Sequence, residues 1–334
     1  MLSAAQNTKI IIRTDYCNQT KDFHRRYIIM KRFLTVFALS LAGLFCLPLF
    51  GCSVRFSADR YSDSDKYSTG NFTYNASEIS RVELNWDSGS VSVSESDADS
   101  LSVSESGADL PDEKRLHYMQ DGKTLRIQFC KSGFVGTFPL EAKKLRLEVP
   151  AGTELVINSA SAPVELGSHT LRSLELYSTS GSVSTGSIHT NDTLLIDTTS
   201  GSIKTADLNA GGDLILHSTS GTIQTGNASA ANTNVKTTSG SFRADSVDCL
   251  SFTVKSTSGS INAGLSGCDS ADIECTSGSV RLRLLDGLGA SVKHESTSGS
   301  FNSNDYTVKN GRYVFGSGKC RLEVRTTSGS LTIE

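Results

Sequence analysis

Thr198-Thr199-Ser200-Gly201-Ser202-Ile203 decides the fold, because the pattern of a Thr/Ser pair, glycine, a small hydroxyl residue and an apolar residue keeps returning. Its glycines stand at Gly181, Gly201, Gly221, Gly240, Gly259, Gly278, Gly299 and Gly329, with spacings of 20, 20, 19, 19, 19, 21 and 30. A weaker copy, Ser159-Ala160-Ser161-Ala162-Pro163-Val164, lies 19 residues before the first, with Ala162 in the glycine's place. Self-similarity at a fixed period of about twenty residues is the signature of a stacked repeat.

Each unit reads alike. An alternating run precedes the glycine (Leu194/Ile196, Leu214/Leu216, Phe252/Val254, Leu322/Val324), and a single apolar residue follows it (Val183, Ile203, Ile223, Phe242, Ile261, Val280). Alternation at period two is a β-strand with one buried face. The glycine marks a bend where a side chain would clash. One strand–bend–strand coil cannot bury its apolar face, but stacked coils can. The expectation is an all-β, single-stranded parallel β-solenoid, β-helix-like and right-handed, with about 19–20 residues per coil. Eight or nine coils at roughly 4.8 Å give a rod of about 40 Å. Thr198, Ser218, Thr237, Ser256 and Cys275 share the parity of the buried residues before them. They are expected inside the corners, where hydroxyls reach backbone and Cys275 acts as a small hydrophobe. The remaining Thr and Ser should form hydroxyl ladders along the rod.

Residues 78–157 alternate without the regular period: Arg81–Trp86, Asp87–Val93, Leu101–Val103, Leu125–Phe129 and Leu145–Val149. Asp121-Gly122 is a hairpin turn signal. This stretch is expected to be an irregular β cap over the solenoid of residues 158–334, since a solenoid end left bare is an open edge. The 30-residue last interval, with Tyr306, Tyr313 and Phe315, is expected to hold an extra hairpin or loop.

The N-terminal segment has a different character. Met30-Lys31-Arg32 is a basic start, Phe33–Leu47 carries no charge, and Leu49-Phe50-Gly51-Cys52 follows. This is the layout of a secretory signal. It resembles a bacterial lipobox, with Cys52 as the lipidated residue at the end of a 30–51 signal peptide. Residues 1–29 fit an upstream extension before a true start at Met30. Residues 52–77, rich in Ser, Asp, Tyr, Asn and Thr, read as a polar tether. A lipid-modified Cys52 implies membrane attachment through acyl chains and an exported solenoid, on the cell membrane or outer membrane.

The chain has 32 basic and 35 acidic residues, and beyond position 51 the balance is 25 to 33. An acidic exported chain without a basic stripe argues against nucleic acid as a partner. Beyond Cys52 the cysteines are Cys130, Cys249, Cys268, Cys275 and Cys320, an odd number. Cys249 and Cys268 each lie ten residues before a repeat glycine, so they should stack about 4.8 Å apart. That spacing is inside the Cα range of a disulfide, but side-by-side Cβ vectors in a parallel stack favour free thiols. No spacing suggests zinc.

The repeats, the Leu147-Glu148-Val149-Pro150-Ala151-Gly152 segment before the first coil, and the closing run from Gly316 through Cys320 to Ile333 together resemble the bacterial putative-adhesin domain family over roughly residues 78–334. The resemblance implies a β-solenoid, an envelope location, an association with envelope stress in some relatives and no assigned catalytic residues.

Catalytic signatures are otherwise missing. His24, His117, His169, His189, His217 and His294 are scattered and read as solvated surface residues. Gly316-Ser317-Gly318-Lys319 lacks the upstream glycine and following helix of a phosphate loop. The acidic residues Asp207, Asp213, Asp245, Asp248, Asp269 and Asp272 fall at turns and read as a solvated edge. No cofactor or metal is implied. The expected function is a non-enzymatic, lipid-anchored envelope protein, an adhesin or sensor accessory that binds an envelope protein or glycan. The alternative is a carbohydrate-active β-helix lyase or hydrolase. An ice-binding rod is disfavoured, because the Thr residues gather at bends and not in a flat Thr-x-Thr strand.

Overall fold

The computed structural model describes residues 56–97, 99–138 and 143–334. Cys52 and the signal segment lie outside them. The regular secondary structure of the described chain is β-strand apart from three single-turn 3-10 helices. Among the described residues no helix is long and apolar enough to cross a membrane.

A regular rung has three short strands. Ser173–Ser178, Val183–Thr185 and Ile188–Thr190 form one, and Leu194–Thr198, Ile203–Thr205 and Leu208–Ala210 the next. Every second residue points inward, as the alternation requires. Each strand pairs in parallel with its counterpart, so Leu174 lies beside Leu194, Val183 beside Ile203 and Ile188 beside Leu208. Further along, the strands fuse into the fifteen-residue runs Ile223–Thr237, Phe242–Ser256 and Ile261–Cys275. Paired residues here are 19 apart, as in Thr233–Phe252 and Phe252–Ala271.

The core is a set of columns. On the first face the order is Leu125, Val82, Leu155, Leu174, Leu194, Leu214, Thr233, Phe252, Ala271, Leu322, Val292. All are buried. Thr233 and Ala271 are small on either side of the bulky Phe252, so the column keeps its spacing without a void or a clash. Each buried aliphatic side chain stabilises by roughly 1.5–3 kcal/mol. These columns therefore outweigh the corner hydrogen bonds, which contribute roughly 0.5–1.5 kcal/mol each.

The corners set register. Ser178 Oγ, Thr198 Oγ1 and Ser256 Oγ each donate 2.7 Å to the carbonyl of the glycine three residues on, and Thr237 Oγ1 does so at 2.9 Å. Cys275 Sγ makes the same contact at 3.1 Å. Thr198, Ser218, Thr237, Ser256 and Cys275, the five residues expected inside the corners, are all buried. Ser218 differs slightly: it donates to Gly201 O at 3.3 Å and accepts from Gly221 N. The ladder at the bends is carried mainly by backbone: Ser200 N donates to Thr179 O, and Ser220 N to Thr199 O, both at 2.9 Å.

The repeat glycines are needed for close approach. A Cβ on Gly240 or Gly259 would lie 1.9 or 1.8 Å from the carbonyl oxygen of the repeat glycine one rung back. The contacts give the order of the column: Ala162, Gly181, Gly201, Gly221, Gly240, Gly259, Gly278, Gly329, Gly299. The last two stand in reverse chain order.

That reversal corrects the simple reading of consecutive coils. Cys320–Thr326 pairs with Ile261–Cys275 on one side and Ala290–Ser296 on the other. Leu331–Ile333 likewise lies between Val280–Leu284 and Phe301–Ser303. The final rung is inserted, and the rung of residues 290–303 is outermost. The long last interval does hold a hairpin, Thr307–Lys309 with Arg312–Phe315, whose second strand covers Ala290–Val292. Its Tyr306 and Tyr313 pack against Phe301, and Phe315 packs against Tyr306.

The N-terminal end is built the same way. Arg81–Trp86 pairs with Glu154–Ser159 on one side and Thr124–Gln128 on the other. Ser90–Glu95 lies between Val164–Leu166 and Lys143–Val149. Residues 81–95 are therefore an inner rung of the stack, not a part of the cap lying outside it. The Asp121-Gly122 hairpin is present, with His117–Asp121 antiparallel to Thr124–Gln128. The stretch read as tether is folded in its later part: Ser68–Thr69 pairs with His117–Tyr118, and Phe72–Asn75 with Ser100–Val103. Phe72, Tyr74 and Tyr118 cluster there, which explains why aromatic residues occur in so polar a segment.

Candidate functional site: a polar groove along the third face

The third strand of each rung turns its central residue outward. Register sets Thr170, His189, Asn209, Ser229, Asp248 and Gly267 in one line along the stack. Beside them the bend residues Ser168, Ser187, Asp207, Asn227, Ser246 and Ser266 border two depressions that meet at Asp207 and Asn209. The first is about 360 Å³ and reaches Glu95, and the second is about 320 Å³ and reaches Asp248.

Much of the rim is held in place. Glu95 Oε2 accepts from Thr170 N at 2.5 Å. Asp207 Oδ1 accepts from Asn227 N at 2.9 Å and Asn227 Nδ2 at 3.0 Å. Ser246 Oγ donates to Ser266 Oγ at 2.7 Å. His189 and Asn209 remain exposed. The groove thus offers hydroxyls, amides and carboxylates at rung intervals, with no lysine or arginine among its lining residues. That composition suits an extended hydroxyl- or amide-rich ligand and disfavours a polyanion.

Most of the acidic residues considered for hydrolysis are engaged by neighbouring polar side chains. Asp207 and Asp248 share the groove but sit two rungs apart, roughly 10 Å, and Asp207 is engaged by Asn227. Asp213 accepts from Asn232 at 2.9 Å, Asp245 faces Arg243 at 3.9 Å, and Asp272 is held by Arg325 at 2.5 Å. Among the described residues, no group of three or more His, Cys, Asp or Glu is placed to hold a metal ion. Two histidines depart from the solvated reading. His117 and His169 are buried, each with Nδ1 3.0 Å from a backbone oxygen two residues earlier. His217 lies 3.8 Å from Asp197 on the neighbouring rung, and His294 lies 3.2 Å from Thr326 Oγ1.

A second polar cluster lies at the N-terminal end of the stack. The Lys143 side chain is fully buried. Its Nζ meets Glu105 Oε1 at 2.7 Å and donates to the carbonyls of Lys114, at 2.6 Å, and Phe129. Three donors thus find three acceptors. The ammonium also lies 4.2 Å from the Phe129 ring and 4.9 Å from that of Trp86, a cation–π setting. Burial lowers its pKa, and Glu105 opposes the shift. Nearby Asp87 is raised to about 6 by burial and then by Asp59. Parity was the available signal, since Lys143 is in phase with the buried Leu145, Leu147 and Val149. The cluster is a clamp that joins four segments of this end of the molecule through Lys143.

The fold and groove define a repeat solenoid with a polar lateral surface. Residues 79–334 match the Toastrack DUF4097 family, and the chain belongs to it. No curated protein matches. Among solved structures, an adhesin-named protein from Parabacteroides distasonis, itself designated putative, is similar at 9% identity, covering 80% of this chain and 97% of that one, with a TM-score of 0.41. A putative adhesin from Bacteroides fragilis gives 12% identity, 79% and 96% coverage, and a TM-score of 0.36. A putative lipid binding protein from Parabacteroides distasonis gives 13%, 79% and 96%, and 0.39.

Proposed function

We propose that this is a non-enzymatic envelope protein, anchored through lipid on Cys52, whose solenoid presents the third-face groove to an extended, hydroxyl-rich surface partner such as an envelope glycan. The observation that carries the reading is the groove itself. Exposed polar side chains repeat along it at the spacing of the rungs, and Asp207 is engaged there by Asn227. The export reading rests on residues 30–52, where a basic start, an uncharged apolar run and Leu49-Phe50-Gly51-Cys52 follow in order.

Two measurements test it. Cells expressing the full chain, fed an alkyne fatty acid, should label the wild type and not Cys52→Ala; equal labelling would remove the anchor. Proximity labelling on intact cells should recover an envelope glycan or glycoprotein with the wild type. Recovery should fall at least tenfold with His189→Ala/Asn209→Ala. Equal recovery by both chains would take the partner off the groove.

A further inference from the structure

Three thiols from three separate chain segments meet inside the rod. Cys249 and Cys268 are direct register partners on adjacent strands. Cys320 joins them because the final rung inserts beside Ile261–Cys275. Cys249 lies beside Cys268 in register, and Cys320 stands one residue before Arg321, the partner of Ser270, at the same end of the strand pair as Cys268. All three are free and buried; Cys249 and Cys268 retain 6% exposure and Cys320 none. Cys275 lies apart at its corner, with Sγ turned to Gly278 O, and Cys130 lies in the cap beside Lys131 O.

We infer that Cys268 and Cys320 form a covalent modification site, a disulfide that staples the inserted C-terminal rung to the rung below it. Two geometric facts favour this pair over Cys249–Cys268. In-register neighbours in a parallel ladder hold their Cβ vectors side by side, which suits a disulfide poorly. Cys268 and Cys320 are not register partners: the pairing of their strands begins at Ser270 with Arg321, and Asp269 and Ser270 are both exposed between buried Cys268 and Ala271, so alternation breaks there and the two Cβ vectors are not held side by side. The Cys268–Cys320 link also closes the longer loop and so restricts the unfolded chain more.

The chemistry is thiol–disulfide exchange with a small disulfide oxidant. The Cys268 thiol loses its proton and attacks one sulfur of the oxidant, expelling the other half as a thiol. Cys320, as thiolate, then attacks Cys268 Sγ in the mixed disulfide and expels the second half. Two thiol protons leave the protein, one S–S bond forms, and the oxidant gains both electrons as two thiols.

The test uses the full chain incubated with oxidised glutathione, then denatured, alkylated and digested with chymotrypsin for mass spectrometry. The expected product links the Cys268 and Cys320 peptides, 2 Da lighter than their sum, with Cys130, Cys249 and Cys275 alkylated. The melting temperature should rise by about 5–10 °C on oxidation. Cys249→Ala should keep the link and the rise. Cys320→Ala should lose both while melting near the reduced wild type. Alkylation of both Cys268 and Cys320, or a Cys249–Cys268 link, overturns the assignment.

Discussion

The middle of the rod and its two ends use the same strands but follow different rules of chain order. From Glu154 to Cys275 each rung lies on the one before it in sequence. At both ends the order breaks. Residues 81–95 are clamped between later segments, and residues 320–333 between earlier ones. In the middle, a rung is interchangeable with its neighbours. At the ends, the chain reaches outward, turns back and inserts its last segment inside. A C-terminal strand on the outside would fray and expose an edge. Inserted, it has partners on both sides.

The comparison is broken most forcefully by deletion. A chain ending at Lys319 loses Leu322, Val324, Leu331 and Ile333, all buried, or roughly 6–12 kcal/mol of apolar burial. It also strips the pairing partner from residues 290–303. Amide exchange across Ala290–Ser296 and Phe301–Ser303 should lose its protection. Excising residues 201–220 instead joins Ser200 to Gly221 and restores the repeat. That shorter chain should fold cooperatively one rung shorter, because nearest-neighbour interfaces carry the stability. A shortened middle that failed to fold would show that rungs are not interchangeable.

Next in size is the glycine column. Gly259→Ala places a Cβ 1.8 Å from Gly240 O, so backbone must move in a stack held on both sides. A cost above about 4 kcal/mol is expected in chemical denaturation. Gly311→Ala, at the end hairpin, has φ +74° and no atom within 4 Å of the new Cβ. It should cost only about 1–2 kcal/mol, from backbone conformation alone. Similar losses at both sites would show that close approach is not the reason for the repeat glycine.

The N-terminal end should add a pH dependence through Asp87, on the inner rung of residues 81–95. Asp87 is raised to about 6 in the folded protein, against about 3.9 unfolded. The folded state therefore holds this proton more tightly. Its contribution to stability is greatest below about pH 4, falls as pH rises to about 6, and is level above that. Asp87→Asn should remove that slope and stabilise the protein at pH 7 by about 1–2 kcal/mol after solvent screening. It should change little below pH 4. Parallel pH profiles for the two chains would remove Asp87 from the account.

The same contrast governs what was legible in the sequence. Gly181 to Gly278, the inward corners and the hairpins at Asp121-Gly122 and after Tyr306 could be read, because they depend on local alternation and a fixed period. The insertion of residues 320–333 could not, since register between Gly278 and Gly329 leaves no mark on a spacing. Cys320 beside Cys268 was hidden for that reason. Lys143 was hidden for another: its inward parity was visible, but a buried lysine is acceptable only with partners, and Glu105 and the Phe129 carbonyl arrive from distant strands. The groove needed three-dimensional register as well, because Thr170, His189 and Asn209 look in sequence like ordinary turn-side polar residues.

The smallest effect is expected where the regular rungs carry function without stability. His189→Ala and Asn209→Ala alter exposed, stacked side chains, and His189 and Asn209 are paired through backbone register. Neither residue lies in a core column or beside the glycine column. The double variant should remain within about 0.5 kcal/mol of the parent in denaturant while weakening partner recovery. A loss above about 1 kcal/mol would mean that the outward polar ladder helps hold the rungs together. The groove would then be part of the scaffold, and the search for a binding surface would move to the two ends, where the chain departs from its repeat.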